Sequence, residues 1–143
     1  SGGEMNPSKF GLFFLKPDGY ERKGARRAIL AALRDRGLRI VRRKRVQITI
    51  EAMRYQPNVD LSTFAGKQMF EILSRRKVSV CLVAGDDASR KLYELKREVR
   101  TQFRVPITFD GVNPVENIIH AADPEELPLN LEVFFPEELL RLK

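Results

Sequence analysis

The chain has 143 residues, 43% of them hydrophobic, with a single cysteine, Cys81, and a single histidine, His120. That length points to one domain with a core of its own, and the composition excludes a disordered segment, a disulfide framework and a zinc set within one chain. The net charge of +7 points either to a polyanionic partner or to a solvated basic face.

In chain order, residues 1–8 are polar and read as a loose leader, with Ser1-Gly2-Gly3 an expression scar and the domain expected over 9–143. The missing initiator methionine reads as a trimmed chain or an excised domain. No stretch approaches a membrane span and no secretory signal opens the chain, so the cytoplasm is the expected compartment. Residues 9–15 form a strand that is apolar on both faces, hence central. A turn over 16–23 leads to a helix over 25–36, which buries Ala25, Ile29, Ala32 and Leu33 and is closed by Gly37 in a left-handed cap.

A second strand is expected over 39–50, with Val46, Ile48 and Ile50 on one face. Its Arg42-Arg43-Lys44-Arg45 run alternates between faces, and no aromatic residues interleave with it. A charged edge strand is the favoured reading, and nucleic-acid binding is disfavoured. A short helix over 51–55 is cut off before Pro57. The next helix, capped by Asp60 or Ser62, is expected to bury Phe64, Met69, Ile72 and Leu73. A third strand spans 78–84. Asp87 is expected to cap a helix over 88–103 that buries Leu92, Leu95, Val99 and Phe103. A loop over 104–114, a last strand over 115–120 and a helix starting near Pro128 complete the chain. This order gives an α+β fold: a ferredoxin-like sandwich, with one four-stranded antiparallel sheet covered by helices.

Two stretches carry chemistry. Phe10-Gly-Leu-Phe-Phe-Leu-Lys16-Pro17-Asp18-Gly19 delivers a cation from a buried strand into a turn. Asn117-Ile-Ile-His120-Ala-Ala-Asp123 places an imidazole at a strand end with little bulk after it. Alone, the histidine reads as a surface or satisfied structural residue, Lys16 as a strand-end cation, Tyr55 and Phe64 as core, Arg100 as a solvated helix residue, and Asn117 as satisfying a strand end.

As an ordered pair, the two stretches resemble the nucleoside diphosphate kinase family, over about residues 10–139. The resemblance implies the ferredoxin-like fold and a ping-pong transfer of the γ-phosphate from a nucleoside triphosphate to a nucleoside diphosphate. A neutral imidazole nitrogen is a competent nucleophile for that step near neutral pH. His120 matches the histidine that is phosphorylated, Lys16 the lysine on the transferring phosphate, and Asn117 the asparagine on the sugar hydroxyl. Tyr55 resembles the tyrosine beside the histidine, Arg100 a phosphate-binding arginine, and Phe64 the aromatic residue that stacks on the base. Magnesium is expected as the cofactor, bound through the nucleotide phosphates, with no metal ligands of the protein's own. Nucleoside di- and triphosphates are the expected partners, with a homo-oligomer or neighbouring domains.

The sequence also departs from the family. Tyr93 stands where a second phosphate-binding arginine is usual, no threonine accompanies it, and Arg90 or Arg97 is left to compensate. Ala122 replaces a serine. Asn130 falls roughly where a glutamate orients the imidazole, and the loss of that orienter is expected to lower activity. An insertion is read over 105–111, and the segment between the third strand and Arg100 is shorter than usual; that segment normally helps form subunit contacts, so the usual hexamer is in doubt. These departures keep a second reading open: a weak or inactive nucleotide-binding or protein-interaction domain of a larger protein.

Overall fold

The structure is a computed structural model that describes residues 6–105 and 116–141. The expected leader through residue 5, the loop and insertion over 106–114, and Val115 lie outside the described residues.

Strands β1 (Phe10–Leu15), β2 (Arg39–Val46), β3 (Val78–Ala84) and β4 (Ile119–Ala121) form one antiparallel sheet in the order β2-β3-β1-β4. β1 and β3 are central, as their two-faced apolar runs require. β2, with its four consecutive cations, is an edge. Six helices are described: α1 (Pro17–Glu21), α2 (Ala25–Asp35), α3 (Phe64–Leu73), α4 (Ala88–Gln102), α5 (Leu127–Phe134) and α6 (Pro136–Leu139). The architecture is the ferredoxin-like α+β sandwich, and the sheet separates two cores. On one face Leu12, Phe14, Val80 and Leu82 pack with Met53, Tyr55, Leu131 and Phe134. On the other, Phe13, Leu15, Cys81 and Val83 pack with α2 and α4 through Ile29, Leu33, Leu92 and Leu95. Among the described residues no helix is long and apolar enough to cross a membrane.

Several boundaries differ from the sequence reading. The turn expected over 16–23 contains α1. Pro17 takes its first position, where the preset φ suits a helix and the missing N–H is no loss. β2 ends at Val46, and Ile48 is buried while Ile50 is exposed, so the two do not share a face. Thr63 rather than Asp60 or Ser62 caps α3, accepting from the Gly66 N–H; Asp60 is engaged by Ser62 instead. Phe64 is 81% exposed, not buried. At about 100° per residue it lies half a turn round the helix from the fully buried Leu73. Asp87 precedes α4 in a left-handed conformation without a side-chain cap, and its carboxylate pairs with Arg90. Phe103 lies just past α4 and is only partly buried. The last strand lies at residues 119–121, and residues 116–118 of the expected 115–120 precede it without strand pairing. A break at Phe135 lets Pro136 start α6, which the sequence reading did not anticipate.

Candidate active site

The pairing of β1 with β4 sets Phe14 against His120 and Leu15 against Ile119. One residue further, the Lys16 N–H donates to the Ile118 carbonyl (2.7 Å), so the chain entering α1 stays beside the chain entering β4. The contact is close: a Cβ at Gly19 would lie 2.5 Å from that same carbonyl oxygen, which reserves the position for glycine. Asp18 Oδ2 accepts from the Ile118 N–H at 3.0 Å. Ile118 itself has φ +76°, a costly conformation for a β-branched residue, of order 1–3 kcal/mol. It is over-determined by Lys16 and Asp18 at its own peptide groups. Arg100 adds restraint by donating to the carbonyls of Asn117 (3.1 Å) and Ile119 (2.8 Å) on either side. The strain therefore falls between Asn117 and His120, where it aims both side chains.

Cations converge here. The Lys16 ammonium is 4% exposed and donates to Asn117 Oδ1 at 2.7 Å. Burial, then the Arg100 guanidinium and further off Lys96, bring its pKa down to about 7, against the pull of Asp18. Lys96 and Arg100 are also held below their ordinary ranges, chiefly by burial, and Lys96 in addition by Arg100. Asp18 is a buried carboxylate nearby, pushed up by its own desolvation, and its Oδ1 has no hydrogen-bond partner. Three cations crowded in low dielectric make a site that gains from receiving an anion.

His120 faces the first core, against Phe14 and Tyr55 (ring centroids 5.1 and 4.7 Å). It is 4% exposed, and burial with the nearby cations lowers its pKa to about 3 despite the Asn130 contact, so the ring is neutral at physiological pH. Its tautomer follows from Asn130. The Asn130 amide nitrogen donates to the carbonyls of Glu126 (3.0 Å) and Tyr55 (3.3 Å), which turns Oδ1 toward His120 Nε2 at 2.7 Å. An oxygen there accepts, so Nε2 carries the proton and Nδ1 keeps its lone pair. Asn130 is placed by the start of α5, where Asp123 and Glu126 exchange backbone-to-carboxylate hydrogen bonds. Nδ1 faces the partly exposed Gln56 amide at 3.4 Å.

No family model matches the sequence, and no curated protein matches it. Solved structures do match. The halophilic nucleoside diphosphate kinase of Halobacterium salinarum, in complex with CDP, aligns with TM-score 0.69 and 24% identity, covering 90% of this chain and 88% of that one. The chain has the nucleoside diphosphate kinase fold. The kinase of Aquifex aeolicus aligns with TM-score 0.64 and 25% identity, over 87% of this chain and 93% of that one. The kinase of Encephalitozoon cuniculi gives 0.66 and 19%, over 92% and 91%.

On this nucleoside diphosphate kinase fold, Lys16, Arg100, Asn117, His120 and Tyr55 gather at one end of the β1–β4 pair. Tyr55 is fully buried with its hydroxyl unpartnered, and burial pushes its pKa up. Phe64 stands apart, exposed at the start of α3. Arg90 is tied to Asp87 and Glu94 and does not make up for the missing arginine. The third cation is Lys96, stacked on Tyr93 at 4.2 Å, a residue the sequence reading passed over because nothing in a helix of alternating charges singles it out. Gln56 and Asp18 were also missed as site residues. The expected loss of an imidazole orienter is corrected: Asn130 holds the ring, as a neutral amide rather than a carboxylate.

Proposed function

We propose that the chain binds a nucleoside triphosphate and passes its γ-phosphate to a nucleoside diphosphate through a phosphohistidine at His120. The observation that supports this most is the cluster of Lys16, Lys96 and Arg100, each depressed in pKa, beside a neutral imidazole whose tautomer leaves Nδ1 nucleophilic. In the first half-reaction the Nδ1 lone pair attacks the γ-phosphorus. The bond from that phosphorus to the bridging oxygen breaks, and the nucleoside diphosphate leaves with the electron pair. The ring keeps its proton on Nε2, donating it in a hydrogen bond to Asn130 Oδ1. An incoming diphosphate oxygen then takes the phosphoryl group and returns the neutral imidazole. Lys16 and Arg100 neutralise charge on the transferring group, and Asn117 meets the sugar. Phe64, exposed, is available to stack on a base.

Among the described residues no three acidic, histidine or cysteine side chains converge to hold a metal. A magnesium ion brought in on the nucleotide phosphates would meet Asp18, the carboxylate that acts on Lys16, and no ready-made cluster of protein ligands among the described residues. It would supply neutralisation of phosphate charge. The cytoplasm, with its nucleotide pools, is the setting this reading fits, and assembly into a homo-oligomer or with neighbouring domains accords with it.

The covered Nδ1 favours a second reading, a nucleotide-binding domain with little turnover. Incubation with magnesium and γ-labelled ATP followed by unlabelled GDP separates the two. Label recovered as GTP supports transfer, and tight nucleotide binding without transfer supports the second reading.

A further inference from the structure

Strand β2 has one charged face that is compensated and one that is not. On the side of the first core, Arg42 pairs with Glu138 (2.7 Å) and Glu137 (3.1 Å), and Lys44 with the Phe134 carbonyl (2.8 Å) and Glu137. On the other side, Arg43 and Arg45 have no carboxylate partner among the described residues, although Arg43 reaches the Cys81 thiol. They look into an open hollow of about 320 Å³ between α2 and the sheet, floored by Phe13, Leu15, Ile29 and Cys81. Arg76 and Lys77 close one end. A second hollow of about 640 Å³ continues from it past Tyr20 and Leu30, rimmed by Arg26, Arg27 and Arg34 of α2. No acid lines either hollow. Arg22 and Lys23 line the second hollow as well, so nine cations border the two.

We propose that this groove binds an acidic polypeptide segment carrying a bulky apolar side chain, the side chain entering the hollow over Phe13 and Ile29 and the carboxylates meeting the arginines. The guanidinium fork suits carboxylates, and the apolar floor needs a hydrophobic anchor that a purely polar polyanion lacks. A nucleic acid fits less well. Of the two aromatic rings that line the hollows, Phe13 is buried in the floor and Tyr20 is already covered by Arg76 at 3.7 Å, which leaves no platform for bases. A second copy paired along β2 would set this cationic run against itself.

The test is fluorescence anisotropy with the full chain and a short labelled peptide of glutamates around one phenylalanine. Controls are the same peptide with serine at the centre and an oligothymidylate of similar length. Arg43 and Arg45 are exposed, so the R43E/R45E double variant should fold, which thermal melting verifies. The expected result is saturable binding of the phenylalanine peptide at low salt, at least about tenfold weaker for the serine peptide and for R43E/R45E, and unchanged by R42A. Four results would each overturn the proposal. One is no binding, and another is equal binding of the serine peptide. The third is tighter binding of oligothymidylate that the same reversals abolish. The last, seen by sedimentation, is a dimer that they disrupt.

Discussion

The Asn130 carbonyl oxygen lies 2.7 Å from His120 Nε2, and it faces that way because the amide nitrogen is already committed to two backbone carbonyls. A neutral amide can fix a tautomer. It cannot offset the positive charge that the ring acquires when Nδ1 is phosphorylated with Nε2 still protonated. N130D is therefore expected to raise His120 phosphorylation by roughly tenfold and N130L to lower it at least as much. Rapid-quench labelling from γ-labelled ATP measures both, and long-range ¹⁵N–¹H spectra should show the Nε2–H tautomer in wild type and its loss in N130L.

Gln56 Nε2 sits 3.4 Å from His120 Nδ1 and is the partly exposed side chain over the reactive atom. Gln56→Ala should open that atom to solvent and move the His120 pKa upward from about 3. Diethylpyrocarbonate should then modify His120 several-fold faster than in wild type, since access and not chemistry limits a buried imidazole.

Lys16 titrates near 7 in the folded protein and at 10.5 when unperturbed. The unfolded chain therefore binds more protons than the native one between those values, and stability rises with pH across that window. Urea midpoints in the absence of nucleotide should climb from pH 7 toward about pH 10 in wild type and lose that climb in Lys16→Met. The same variant should be more stable than wild type near pH 7, by about 1–4 kcal/mol, because it removes a desolvated cation. A bound polyphosphate favours the ammonium, so nucleotide affinity should fall as pH rises above about 7 in wild type, with proton uptake on binding seen by calorimetry in two buffers.

Gly19 touches the Ile118 carbonyl so closely that an added Cβ cannot fit. Gly19→Ala should push α1 from the β4 approach and break the Asp18–Ile118 bond. The expected cost is about 1–3 kcal/mol in stability, with a loss of nucleotide affinity that exceeds what the stability change alone would cause. Chemical denaturation and calorimetry read the two separately.

The sequence carried the parts of the fold that depend on local pattern. β3 was read to its end residues because both of its faces are apolar and turn residues bound it. α2 was read because Gly37, at φ +69°, ends it. The Lys16 and His120 stretches were legible as an ordered pair of short motifs. What escaped depends on three-dimensional convergence. Asn130 looked like a lost orienter because only the committed carbonyls of Tyr55 and Glu126 reveal which way its amide points. Gln56, just past the 3-10 turn Glu51–Tyr55, and Lys96, in a charged helix, belong to no motif. Phe64 looked apolar and therefore buried, although its place at the first turn of α3 turns it outward. The uncompensated face of β2 was invisible because its cations and those of α2 and Arg76 meet only in the folded chain.

The most direct measurement is where phosphate goes. With magnesium and γ-labelled ATP, the wild-type chain should acquire an acid-labile, alkali-stable label on the peptide that contains His120, and His120→Ala should acquire none while still binding nucleotide. Label that persists in His120→Ala, or nucleotide bound to wild type with no label at all, would contradict the account.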